Sequence, residues 1–146
     1  MNLAPLAAKI RESQYAGLSD QLLADAVNGL RVIERRSVPT WLVRQTAIEG
    51  GYWPLLIEAR ESATPAIRRL AVTVLAWIDD QSGTIQTVDM DRPSAIVLRA
   101  ALVQAGICSQ PQADALSALA DASIPWTESV GLPEIGIGLI INARRL

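Results

Sequence analysis

Thr64-Pro65-Ala66-Ile67-Arg68-Arg69-Leu70-Ala71-Val72-Thr73-Val74-Leu75-Ala76-Trp77-Ile78-Asp79-Asp80 is the stretch that decides the fold class. The Thr64 hydroxyl suits a helix N-cap, and Pro65 suits the first helical position, whose N–H needs no partner. Ile67, Leu70, Ala71, Val74, Leu75 and Ile78 then recur at i, i+3, i+4, i+7, i+8 and i+11, which makes one broad apolar face. Val72, Ala76 and Trp77 widen that face until little beyond the first turn suits water. A helix apolar nearly all round belongs in the middle of a bundle. The spacing therefore predicts a central buried helix over residues 65–79.

Working outward, the upstream flank reads as further short helices. Trp53-Pro54 starts one that runs through Leu55, Leu56, Ile57 and Ala59 to about Ser62. Thr40 caps another over 41–49, with Trp41, Val43, Ala47 and Ile48 apolar and Gly50-Gly51 as its stop. Residues 31–38 break the helical period and read as an extended connector or a short strand, with Pro39 holding Val38 out of the helical region. Ser19 caps a helix striped by Leu22, Leu23, Ala26, Val27 and Leu30, ended by Asn28-Gly29. A first helix over 5–16 turns Leu6 and Ile10 inward and closes at Gly17.

Downstream, 81–91 is the longest irregular piece, with an extended run at 84–88. Pro93 opens a helix to Ala105, and Gly106 supplies a left-handed stop. Ser109-Gln110-Pro111 begins its partner, so the two form an αα-hairpin. Residues 125–131 allow one or two helical turns. The tail, 132–146, is apolar and glycine-interrupted until Asn142; it is expected to pack on the bundle or on a partner. Together these elements predict an all-α chain, a single helical domain over 1–146. It reads as an irregular bundle of about six to eight short helices, with HEAT-like helix pairs as the alternative organisation.

Composition supports that reading and narrows the chemistry. The chain has 146 residues, enough for a real core, and half of them are hydrophobic. Its aromatics are four Trp and two Tyr with no Phe, so the core must come from Ala, Leu, Ile and Val. A net charge of -2 gives no global field to attract nucleic acid or an anionic membrane. The single cysteine, Cys108, excludes an internal disulfide. Histidine is absent, which removes the commonest general base and the commonest metal ligand. No run approaches the roughly 20 apolar residues of a membrane span. Met1-Asn2-Leu3-Ala4-Pro5 lacks the order of a secretory signal, so synthesis in the cytoplasm is expected.

Four constellations invite chemistry. Asp79-Asp80 and Asp89-Met90-Asp91 flank the 81–88 loop as candidate ligands for a hard cation, but the alternate spacing and central glycine of a calcium loop are missing. Arg31, Arg35, Arg36 and Arg44 form the best contact cluster. Phosphate binding with Trp41 stacking is one reading; solvated charge or an interface ion-pair network, with Glu34 and Glu49 interspersed, is the preferred one. Cys108 precedes a helix start, yet without histidine it reads as a small buried apolar residue. No nucleophile elbow, phosphate loop or dinucleotide fingerprint occurs, so neither enzyme activity nor a cofactor or metal is expected. Trp53 and Trp126 are the expected interface anchors, and Ile135, Ile137, Leu139 and Ile140 the expected subunit-contact element.

The second half also carries a resemblance. Val88-Asp89-Met90-Asp91-Arg92-Pro93, Leu102-Val103-Gln104-Ala105-Gly106-Ile107, Gln112-Ala113-Asp114-Ala115-Leu116-Ser117-Ala118-Leu119-Ala120 and Trp126-Thr127-Glu128-Ser129-Val130-Gly131-Leu132-Pro133 resemble small proteins encoded among the structural and tail genes of tailed bacteriophages. The likeness covers roughly residues 67–145, and its motifs are structural punctuation with no assigned active site. It implies a tail-associated virion component that docks other virion proteins or copies of itself without turnover. A phage-encoded inhibitor of a host protein is the alternative, and a nucleic-acid binder using the Arg31–Arg44 surface comes third. The expected location is the host cytoplasm, or the virion for a structural component.

Overall fold

The computed structural model describes residues 1–80 and 82–146. The chain is mostly helical, 57%, but short strands form two small sheets, so the fold is mixed rather than purely all-α. Gln81, where the predicted irregular piece begins, lies outside the described residues. The chain divides into two compact units, one from Met1–Glu34 with Ser123–Leu146 and one from Arg35–Ala122.

The terminal unit contains α1 (Ala4–Ile10), a 3-10 turn (Ser13–Tyr15), α2 (Asp20–Asn28), α8 (Trp126–Ser129) and α9 (Ile137–Arg144). The first predicted helix is thus shorter than 5–16, ending at Ile10 before the separate turn. Ser19 caps α2 as expected, its hydroxyl accepting the Leu22 N–H at 3.3 Å. Leu6, Ile10, Leu23 and Val27 meet Ile135, Ile140 and Ala143 in one buried cluster. The tail reaches that cluster because α9 forms despite Gly138, and α1 and α2 both pack against it. Burial of Ile140 and Ala143 outweighs the cost of a glycine inside a helix, about 1 kcal/mol. Asn28 fixes the approach: its side-chain amide donates to the Ile135 carbonyl at 2.9 Å and its oxygen accepts the Ile135 N–H at 2.8 Å.

The central unit contains β2 (Val38–Pro39), α3 (Thr40–Glu49), α4 (Trp53–Ala59), α5 (Pro65–Ile78), β3 (Thr87–Val88), α6 (Pro93–Gln104) and α7 (Gln110–Ala118). β2 and β3 pair antiparallel with Val38 opposite Val88, both buried. Extended backbone at Val38 follows from Pro39, and the pairing turns both valines into the core. The remaining strands, β1 (Arg31–Arg35) and β4 (Asp121–Pro125), pair in the second sheet. Residues 31–35 thereby resolve as a strand. β4 carries only Ile124 as a β-branched residue, too weak a signal to read from sequence.

α5 packs against α3, α4 and α6, and buries Ala71, Val74, Leu75 and Ile78. It is not buried all round: Val72 is 53% exposed, and Thr73 and Ala76 share its outward side. The packing of α3, α4 and α6 leaves one face of α5 open, and small or β-branched side chains occupy it. Two expected hydroxyl caps differ. Thr64 stands at the N-cap of α5, but its hydroxyl makes no capping bond, and Thr40 is the first residue of α3, its hydroxyl 3.4 Å from the Gln86 carbonyl. Gly106 closes α6 at φ 73°, in the left-handed region predicted for it. Gly50 is needed for another reason, since a Cβ there would sit 2.7 Å from the Tyr52 ring.

Candidate functional site

Arg35, from the predicted cluster, is engaged through all three of its guanidinium nitrogens. It leaves the end of β1 and reaches two carboxylates that follow β3 and α7. Its Nε and Nη2 donate to the two Asp91 carboxylate oxygens at 3.1 and 2.8 Å. Nη1 donates to Asp121 Oδ1 and to the Ser117 carbonyl, both at 2.8 Å, and Nη2 also donates to the Ser117 hydroxyl at 3.1 Å. The planar fork suits such bidentate pairing. The hydrogen bonds that Asp91 and Asp121 accept raise the Arg35 pKa, and Arg35 holds the Asp91 carboxyl below its ordinary range.

The other arginines have different surroundings. Arg31, in the terminal unit, donates through Nη2 to the Ser123 carbonyl at 2.6 Å and through Nε to the Ser123 hydroxyl. In the central unit, Arg44 pairs with Asp79 at 3.2 Å, and the Arg36 backbone N–H donates to the Ala120 carbonyl. Arg31, Arg35 and Arg44 therefore each spend donors on protein acceptors that a phosphate would have to displace.

The acidic loop is similarly occupied from within. Asp80 accepts from the Ser82 hydroxyl at 2.6 Å and the Ile85 N–H at 2.7 Å, and these bonds, the Ser82 hydroxyl foremost, lower its pKa. Asp79 faces Arg44, Asp91 faces Arg35, and Asp89 accepts the Asp91 N–H. Among the described residues no group of three or more His, Cys, Asp or Glu side chains could hold a metal ion. Cys108 is buried, and burial pushes its thiol pKa up, away from the reactive thiolate.

The predicted hydrophobic contacts divide. Trp53 is half-buried against the central core. Trp126 is half-buried in the terminal unit, with the Lys9 ammonium 5.5 Å from its ring centre. Ile135 and Ile140 are buried, Leu139 is half-buried, and Ile137 is exposed. Of the tail residues assigned to subunit contact, only Ile137 is thus presented to solvent.

Trp41, which the sequence offers as a stacking side chain beside the arginines, stands on the outer side of α3. It is 56% exposed on α3, and Ile48, two turns later, is 54% exposed. Val43 and Ala47 take the buried side of that helix. The signal was in the spacing: Val43 and Ala47 stand four apart on one stripe, and Trp41 and Ile48 stand seven apart on another. Read as one apolar set, the two faces merge and the outward one is lost. Among the described residues no helix is long and apolar enough to cross a membrane. No protein-family model, curated protein or solved structure matches the chain.

Proposed function

We propose that this protein is a tailed-bacteriophage structural component, tail-associated, that works by docking another virion protein and performs no turnover. The observation that carries the reading is the outward face of α3. A tryptophan and an isoleucine two turns apart, both more than half exposed, form the kind of anchor that protein interfaces bury. α3 pairs with α4 and α6 with α7, so the central unit offers helix pairs of the HEAT-like kind as docking faces. The arginines favour this over nucleic-acid binding, because Arg35 already uses all three guanidinium nitrogens on protein acceptors. The phage assignment rests on the sequence motifs of the second half.

Mass spectrometry of purified phage particles tests it. The wild-type chain is expected in the particles, and the double variant Trp41→Ala, Ile48→Ala is expected to be depleted at least tenfold while its circular dichroism is unchanged. Absence of the wild-type chain from particles, or undiminished incorporation of the variant, overturns the reading.

A further inference from the structure

A cleft of about 280 Å³ opens on the central unit where the last turn of α5, β3 and the turn leading into α6 come together. Trp77, half-buried, and Val88, buried, supply an apolar wall that Ile85 extends. Asp89 and Arg92 line the same cleft and bring opposite charges to it. The Arg92 N–H donates to the Asp89 carbonyl at 3.2 Å, closing a turn that keeps their Cα atoms within about 7 Å.

These two charges are not spent on each other. Among the described residues the Arg92 guanidinium makes no ion pair and no hydrogen bond, which sets it apart from Arg35 and Arg44 with their aspartate partners. Asp89 uses only Oδ1, which accepts the Asp91 N–H at 3.0 Å, so Oδ2 is left over. Both side chains are exposed, so an arriving molecule can reach them without displacing a protein partner. An occupant with a carboxylate alone would meet Asp89 as a like charge, and one with an ammonium alone would meet Arg92 in the same way. A molecule carrying both groups on one carbon satisfies the pair, and an apolar body on that carbon suits the Trp77 wall. That is the chemistry of a free α-amino acid. Leucine has nine non-hydrogen atoms; even at the roughly 30 Å³ that each water takes in the liquid, it needs about 270 Å³.

We propose that this cleft is a binding site for a free α-amino acid with an aliphatic side chain, its carboxylate accepting from Arg92, its ammonium donating to Asp89 and its side chain against Trp77, Ile85 and Val88. The site shares no residue with the α3 docking face, and either reading can fail alone.

The test is NMR of the full chain, following the Trp77 indole N–H and the Ile85 and Val88 methyls during titration with L-leucine. Isoamylamine, which lacks the carboxylate, and 4-methylpentanoate, which lacks the ammonium, are the singly charged counterparts. Leucine is expected to shift all three residues saturably in the millimolar range, and each counterpart to bind about fivefold more weakly, the scale of one exposed ion pair. Arg92→Met should weaken leucine about fivefold and leave isoamylamine unchanged. Asp89→Asn, which keeps an acceptor for the Asp91 N–H, should weaken leucine by a similar factor and leave 4-methylpentanoate unchanged. Absence of saturable leucine shifts overturns the proposal, as does a counterpart that binds as tightly as leucine. Because that comparison uses the wild-type chain, it decides the matter even where a variant fails to fold.

Discussion

Arg35 ties the end of a strand to two carboxylates that lie 56 and 86 residues away in sequence. Local propensity has no means of encoding such a contact, so its strength is set by geometry alone. Because Arg35 depresses the Asp91 pKa, the pair stabilises the folded chain fully above the pKa of an unfolded aspartate, about 4. That contribution is lost as pH falls through the lower, folded value. Arg35→Met should therefore unfold at a lower temperature than wild type at neutral pH, with the gap closing as acid protonates Asp91. Thermal melts from pH 7 down to about pH 2.5 check this. A gap that stays constant across that range would mean the side chain contributes packing rather than charge. Arg35 and Arg44 were legible in the sequence as ion-pair formers, but their partners were not. By position Asp91 belongs to the acidic loop, and nothing beside Asp121 in the sequence marks it as an arginine partner.

At the scale of the element, Ser19 caps α2 through its hydroxyl as expected, and Ser109 does the same for α7, where the sequence reads only as a helix start. Neither threonine hydroxyl makes a capping bond. Ser109 accepts the Gln112 N–H at 3.3 Å, and the Gln112 side chain accepts the Ser109 N–H at 2.8 Å. The Gln112 amide also donates to the Gly50 carbonyl at 2.9 Å, so the cap is held by a second element. This reciprocity needs two residue types three positions apart, which is why sequence carries it well. Thr64 has no such partner, and its N–H is taken by the Ser62 hydroxyl at 3.2 Å. Ser109→Ala should cost about 1 kcal/mol in urea unfolding, whereas Thr64→Ala should be near neutral. An equal loss for both would show that Thr64 caps its helix in solution. The same distinction explains α5. Its apolar periodicity predicted a helix correctly, but periodicity reports what a helix can bury, and the number of neighbours decides what it does bury.

At the scale of the whole molecule, the terminal unit is built from both ends of the chain, whereas the central core draws only on residues from Val38 to Ala120. Hydropathy revealed that the tail would be packed somewhere. It did not reveal that residues 1–34 were its counterpart, because a helix preceded by Gly136 and carrying Gly138 in its first turn has too little intrinsic preference to be read as one. Ile140 is completely buried and Ile137 is 42% exposed. Ile140→Ala should therefore cost about 3 kcal/mol, in the ordinary range for a cavity left in a core, while Ile137→Ala should change little. Removing residues 132–146 goes further, since it takes away Ile135, Ile140 and Ala143 together and leaves Leu6, Leu23 and Val27 without their cover. Residue-resolved amide exchange on that truncation is expected to show protection lost across α1 and α2 and retained in α5 and α6. Loss of protection in α5 and α6 would mean that the central core depends on the tail as well. Full protection in α1 and α2 would mean that the first 34 residues fold without it, and α9 would then be a latch rather than a piece of core.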